Sequence, residues 1–155
     1  MGSVLVAVRA GLIAALAELD EFEGWECSYI PKKGSKARNR CFTDRAEFSH
    51  DPASLRAAKT FRKEEGSFDL VLYAENVGAN ADPVAMSEAL QAVGEAAENW
   101  VAIHANWSNN ALCEGLNWLV VGGEGGGRGR LSEQWADNGL SIALIYPINY
   151  RARLT

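Results

Sequence analysis

The residues of this chain that could do chemistry are few and scattered. The most suggestive run is Gly122-Gly-Glu-Gly-Gly-Gly-Arg-Gly129, six glycines in eight positions. A phosphate-cradling loop of that composition opens a helix and, in its Walker form, ends in Lys-Ser or Lys-Thr. No such lysine follows here, and the next residues read as strand. The run is therefore read as a connection or bulge between strand segments. His50 and His104 are the only histidines, too isolated to form a metal site or a triad. His104 falls on the apolar stripe of a predicted helix, where a hydrogen-bonded core or rim residue is expected. Cys27, Cys41 and Cys113 are odd in number and unclustered, which reads as reduced thiols and not as a disulfide framework or zinc site. Cys113 has no histidine placed to activate it and defaults to a small buried hydrophobe. Carboxylates are numerous, yet no spacing selects an acid/base pair. No catalytic, cofactor-binding or metal-binding residue is assigned.

The elements that would position any site come from a chain of 155 residues. That length favours one domain, residues 1–155, which can bury roughly 70% of its unfolded surface without a staple. Apolar residues make up 48% and charged ones 23%, near globular averages. A net charge of −5 disfavours a dedicated nucleic-acid binder, although a local basic loop can still touch DNA. Met1 to Leu19 is apolar, but Arg9 interrupts it and Glu18, Asp20, Glu21 and Glu23 follow it. Neither a secretory signal nor a membrane span is expected.

The terminal stretch, Gly139 to Thr155, organises the rest. Its even positions, Leu140 to Leu154, are all apolar and its odd ones mostly small or polar, so it reads as a long strand with one buried face. Pro147 inside it lacks an N–H, which predicts an edge position or a bulge. Ser3 is placed to cap a helix over Val4–Leu19, with Gly11 marking a close contact. Trp25–Ile30 alternates as a short strand, Pro31–Arg40 reads as a mobile loop without an apolar anchor, and Cys41–Phe48 reads as a strand. Ala53–Glu65 stays open between a short helix and an irregular extension. Gly66–Asn76 is apolar on both faces and reads as a central strand. Asp82-Pro83 opens a helix to Ala105 whose stripe is Val84, Met86, Leu90, Val93, Ala97, Trp100, Val101 and His104, with Gly94 its weak point. A turn at Asn106–Asn110, strands at Leu116–Val121 and Leu131–Trp135, and a hairpin turn at Asp137-Asn138-Gly139 complete the chain. The pattern predicts an α+β fold, two helices packed on one face of a largely antiparallel sheet.

With no chemistry assigned, the residues point to assembly. Lys32, Lys33, Lys36, Arg38 and Arg40 form a basic loop suited to an acidic partner surface or DNA. Trp107 and Trp135 lie beside turns, where tryptophan serves as an interface anchor. Arg128 and Arg130 at the end of the glycine run, and Arg151 and Arg153 at the end of the last strand, join them as partner-binding candidates. The order of elements, with Arg62-Lys-Glu-Glu65 before Phe68-Asp-Leu-Val-Leu72, and above all Gln134-Trp-Ala-Asp-Asn-Gly-Leu140 running into Tyr150-Arg-Ala-Arg-Leu-Thr155, resembles the tail terminator proteins of long-tailed bacteriophages. In that family a Trp-x-Asp-x-Gly turn commonly opens a final strand ending in Arg-x-Arg-Leu. The resemblance implies a non-enzymatic virion protein without cofactors: a hexameric ring at the head-proximal end of the tail, made in the host cytoplasm. Its implied partners are copies of itself, the major tail tube protein and a head-completion or connector protein, with passing contact to DNA in the lumen. A head-to-tail connector or stopper of the same neck is the nearest alternative. A small-ligand-binding or enzymatic α+β domain is the alternative from another class.

Overall fold

A computed structural model describes residues 2–51, 62–78, 80–104, 112–122, 129–136 and 139–154. Ala53–Phe61 of the undecided segment, the turn at 106–110, most of the glycine run and the turn residues Asp137 and Asn138 lie outside the described residues. The elements are helix α1 (Leu5–Ala17), a 3-10 turn (Asp20–Phe22), strands β1 (Glu26–Cys27), β2 (Asn39–His50) and β3 (Arg62–Asn76), helix α2 (Pro83–His104), and strands β4 (Leu116–Val121), β5 (Arg130–Ala136) and β6 (Gly139–Leu154). The fold is α+β. Its sheet runs β1-β2-β3-β6-β4, with β5 also on β6. Every pairing is antiparallel except that of β1 with β2.

The expectation that Pro147 marks an edge is overturned. β6 is interior: β3 pairs with it from Arg62↔Leu154 to Asn76↔Leu140. On its other side β4 pairs with the C-terminal half and β5 with the N-terminal half. Pro147 falls at the junction, between Val121↔Ile148 and Arg130↔Ile145. Its carbonyl accepts from Gly122 N at 2.6 Å on that side. N–H and C=O of one strand residue point to the same edge, so the missing donor would also have faced the gap, where no ladder partner needs it. Asn149 Nδ2 donates to Gly122 O at 2.6 Å and holds the end of β4. The glycine run thus joins two strands that line one side of β6 in succession.

The even positions of β6 are buried throughout, none more than 5% exposed. Val8, Leu12 and Leu16 of α1 and Leu90, Ala97 and Val101 of α2 share one core cluster with them. Burying each large side chain contributes about 1.5–3 kcal/mol. In α2 the buried positions are Leu90, Gly94, Ala97 and Val101; Val84, assigned to the stripe from sequence, is 66% exposed. Gly94 is a close approach and not merely a weak point. A Cβ there would run into Tyr146 Oη and come within 2.7 Å of Leu144. A Cβ on Gly11 would likewise stand 3.1 Å from the carbonyl oxygen of Leu112. Asp82 caps α2, its Oδ1 accepting from Val84 N at 3.0 Å and Ala85 N at 3.2 Å. Ser3 lies one residue before the N-cap of α1, Val4, yet its Oγ accepts from Leu5 N at 3.0 Å.

Gly66 stands opposite Tyr150 in the ladder, and a Cβ on Gly66 would overlap the Tyr150 ring. Gly66→Ala is expected to lower stability by about 1–3 kcal/mol, the ordinary cost of overpacking. Chemical denaturation measures it. An unchanged midpoint would show that the ring moves aside freely.

Candidate assembly site

Three groups of sequence candidates occupy distinct places. Arg151 and Arg153 lie on the exposed alternation of β6, where β3 supplies their neighbours: Glu65↔Arg151 and Lys63↔Arg153. β4 adds Trp118, opposite Arg151. Together with Asn117 these residues line an open groove of about 650 Å³. Arg151 is already engaged, its Nε 3.2 Å from Glu65 Oε1 and its guanidinium 4.7 Å from the Trp118 ring centroid. Both partners of the pair are more than half exposed, so it contributes about 0–1 kcal/mol. Arg151→Ser with Arg153→Ser is therefore expected to leave the melting temperature within a few degrees. A drop of ten degrees or more would show the groove to be part of the folding core.

The basic loop is more firmly tied than its composition implied. Arg40 belongs to β2. Its Nε donates to Ala37 O at 2.8 Å and its second guanidinium nitrogen to Ser35 O at 3.1 Å, and it lies 3.8 Å from Glu75 and over the Tyr73 ring. Ser35 Oγ donates to Glu26 at 2.6 Å, and Arg38 O accepts from Glu75 N at 2.9 Å. The polar backbone of the loop supplies the anchor that apolar residues do not. Arg40 is thus a structural residue of the loop, while Lys32, Lys33, Lys36 and Arg38 point outward.

Arg130 is exposed at the start of β5, and Trp135 is 54% exposed on the same strand. Trp135 pairs with Leu140 across the ladder, on the core-facing alternation of β6, but it lies uncovered. Trp107 and Arg128 lie outside the described residues.

A buried polar cluster escaped the sequence reading. Glu64, 1% exposed, accepts from Tyr150 Oη at 2.8 Å and from Val4 N at 3.2 Å, and it lies 2.9 Å from His50 Nε2. It joins β2, β3, β6 and the start of α1. His50, set aside as isolated, is therefore tied to a carboxylate. The signal was present but faint: Glu64 shares the alternation of Gly66, Phe68, Leu70 and Leu72, so a charge stands in the buried phase of its strand. A second cluster surrounds Arg9, which is 9% exposed. Arg9 donates to Thr43 Oγ1 at 2.8 Å and Tyr29 Oη at 2.6 Å and lies over the Tyr29 ring. The cysteines are free, but Cys27 stands directly opposite Cys41 in the β1–β2 ladder, so they are not unclustered in space. A hydrogen bond with Cys41 lowers the Cys27 thiol and, with burial, raises that of Cys41. Burial, helped by the charge of Glu64, raises Cys113, which leaves it an inert thiol at neutral pH. His104 Nδ1 lies 3.0 Å from Trp100 O and its ring stacks on Trp100.

Burial followed by hydrogen bonding to Glu98 raises the phenol of Tyr146, and burial followed by Glu64 raises that of Tyr150. Unfolded tyrosines lose their protons near pH 10 while these two keep theirs in the fold. The unfolded state then binds fewer protons, so stability is expected to fall as pH rises above about 10. Urea midpoints at pH 8 and pH 10.5 test this, and Tyr150→Phe should blunt the difference. Equal midpoints would contradict it.

No protein-family model and no curated protein matches the chain. Among solved structures, the chain is similar to one in the virion of a native gene transfer agent particle, with a TM-score of 0.53 and 14% identity over 96% of this chain and 94% of that one. The fold is shared. It is shared along nearly the whole of both chains.

Proposed function

We propose that this protein is a virion structural protein of the tail terminator type. In this reading copies of the chain form a hexameric ring at the head-proximal end of a tail tube. The ring stops addition of the tube protein and presents a surface to the head-completion protein, with DNA passing through its lumen. The observation that carries the reading is the coincidence of two likenesses. The fold follows a gene transfer agent virion chain over 96% of this chain. The strands β5 and β6 carry the Trp135-Ala-Asp-Asn-Gly and Arg151-Ala-Arg-Leu pattern of tail terminators. The outward cations of the loop, the groove around Arg151 and the uncovered Trp135 supply surfaces for contacts between subunits and with partners. A ring requires one patch docking on a different patch of the next copy.

The test is a capping assay. Purified protein is added to elongating tail tube protein and the products are viewed by negative-stain microscopy. Rings at one tube end and arrested elongation are expected. Unchanged elongation with bare ends would overturn the reading.

A further inference from the structure

The shortest strand of the sheet brings two thiols together. β1 has two residues and stands at the end of the strand order, joined to β2 by a parallel pairing. Beyond the ladder, Ser28 N donates to Cys41 O at 2.9 Å and Thr43 N to Tyr29 O at 3.2 Å. The register sets Cys27 directly beside Cys41. Paired residues on adjacent strands lie about 4.8 Å apart, within the Cα separation of about 4.4–6.8 Å found for disulfide-bonded cysteines. Both side chains take the core side: Cys41 belongs to the buried cluster, and Cys27 packs against it partly buried. Their thiols are hydrogen-bonded to each other, so the sulfurs already meet. The two differ in access. Cys41 is 0% exposed, whereas Cys27 is partly open to solvent. They differ in reactivity in the same sense. The hydrogen bond with Cys41 lowers the Cys27 thiol, and that bond, with burial, raises Cys41. The thiolate is the attacking form, so the accessible sulfur is also the reactive one. Cys113 stands apart: the charge of Glu64 acts on it, and Glu64 pairs with His50 at the opposite end of β2 from Cys41.

We infer that Cys27 and Cys41 form a redox-active dithiol, which a small-molecule disulfide such as glutathione disulfide converts into a bond stapling β1 to β2. The Cys27 thiolate attacks one sulfur of the disulfide. A mixed disulfide forms at Cys27, and one glutathione leaves as a thiolate that takes a proton from water. Cys41 then gives up its proton and attacks Cys27 Sγ, and the second glutathione leaves as a thiolate that takes that proton up. Two protein thiols are oxidised, and one external disulfide is reduced to two thiols. The bond closes a ring of fifteen residues, Cys27 to Cys41, which contains the loop bearing Lys32, Lys33 and Lys36. Disulfides are rare in the cytosol and persist outside the cell. A virion protein would therefore assemble with the pair reduced and close it after release. That timing alone rests on the virion reading above; the chemistry of the pair does not.

Oxidation of the purified, folded chain with glutathione disulfide tests it. Free thiols, counted after unfolding, should fall from three to one. Tryptic digestion without reductant should yield Ala10–Lys32 joined to Cys41–Arg45. Closing a loop of this length restricts the unfolded chain, so the oxidised protein should melt about 5–10 °C higher than the reduced one. Cys41→Ala should stop at the mixed disulfide and keep one glutathione on Cys27. Cys27→Ala should leave Cys41 at least tenfold slower to react than Cys27 is in the wild type, because Cys41 is buried. If Cys41→Ala does not fold, Cys27→Ala decides alone, since it changes only the partly exposed thiol. Cys113→Ser should oxidise as the wild type does. Three persisting thiols, a bond to Cys113, a bond that forms only in urea, a Cys41 that reacts as fast without Cys27, or a lower melting temperature on oxidation would each overturn the inference. None of these results bears on tube capping, so the ring reading stands or falls by its own assay.

Discussion

Glu64→Ala should be among the most damaging single substitutions in the chain, costing about 3 kcal/mol or more. The carboxylate is buried and serves Tyr150 Oη, Val4 N and His50 at once. Truncation leaves a cavity and up to three polar groups without their partner, and each unsatisfied buried group costs about 1–3 kcal/mol. Glu64→Gln keeps an acceptor for Tyr150 or Val4 and should cost about half as much. Urea denaturation gives the magnitude. Amide exchange should quicken first at the opening turn of α1, since Val4 N loses its acceptor. A loss below about 1 kcal/mol would mean that water takes over these bonds, and the cluster would then not be what fastens α1 to the sheet.

Tyr146→Asp should leave no soluble folded protein at 25 °C. Tyr146 is 5% exposed and fills the space below Gly94 of α2. An aspartate there removes the ring and buries a negative charge near the carboxylates of Glu98 and Glu95. Each change costs several kcal/mol, against a total stability of about 5–15 kcal/mol for a domain. Tyr146→Phe removes only the hydroxyl and should cost about 1 kcal/mol. Expression, solubility and a thermal melt of the two variants separate loss of packing from loss of a hydrogen bond. A soluble, folded aspartate variant would show that α2 is not seated on this part of β6.

The long elements were legible because their signals are redundant. β6 alternates over sixteen residues, and α2 carries an Asp-Pro start, a stripe and an Asp82 cap in agreement. The position of β6 in the sheet was not legible. Proline reports only that one edge lacks a donor. Two short strands that meet at that point satisfy it as well as an open edge does, and their meeting is decided by pairings far apart in sequence. The ends of α1 were overextended by one or two residues because Val4 and Leu19 are apolar, whereas its cap is set by Ser3 and by Glu64 from β3. Arg9 and Glu64 show the same limit at the level of single side chains. Each is charged and buried, held by groups from other elements, and visible in sequence only as a charge in the wrong phase. Among the assembly candidates, composition could not separate the exposed lysines of the loop from Arg40, whose guanidinium donates to backbone carbonyls five residues or fewer away.

The most direct measurement is the length and head attachment of tails from particles made without this protein, scored by electron microscopy. The account predicts overlong tube structures without heads, restored to uniform, head-bearing tails when the wild-type chain is supplied. Tails of normal length joined to heads in its absence would contradict it.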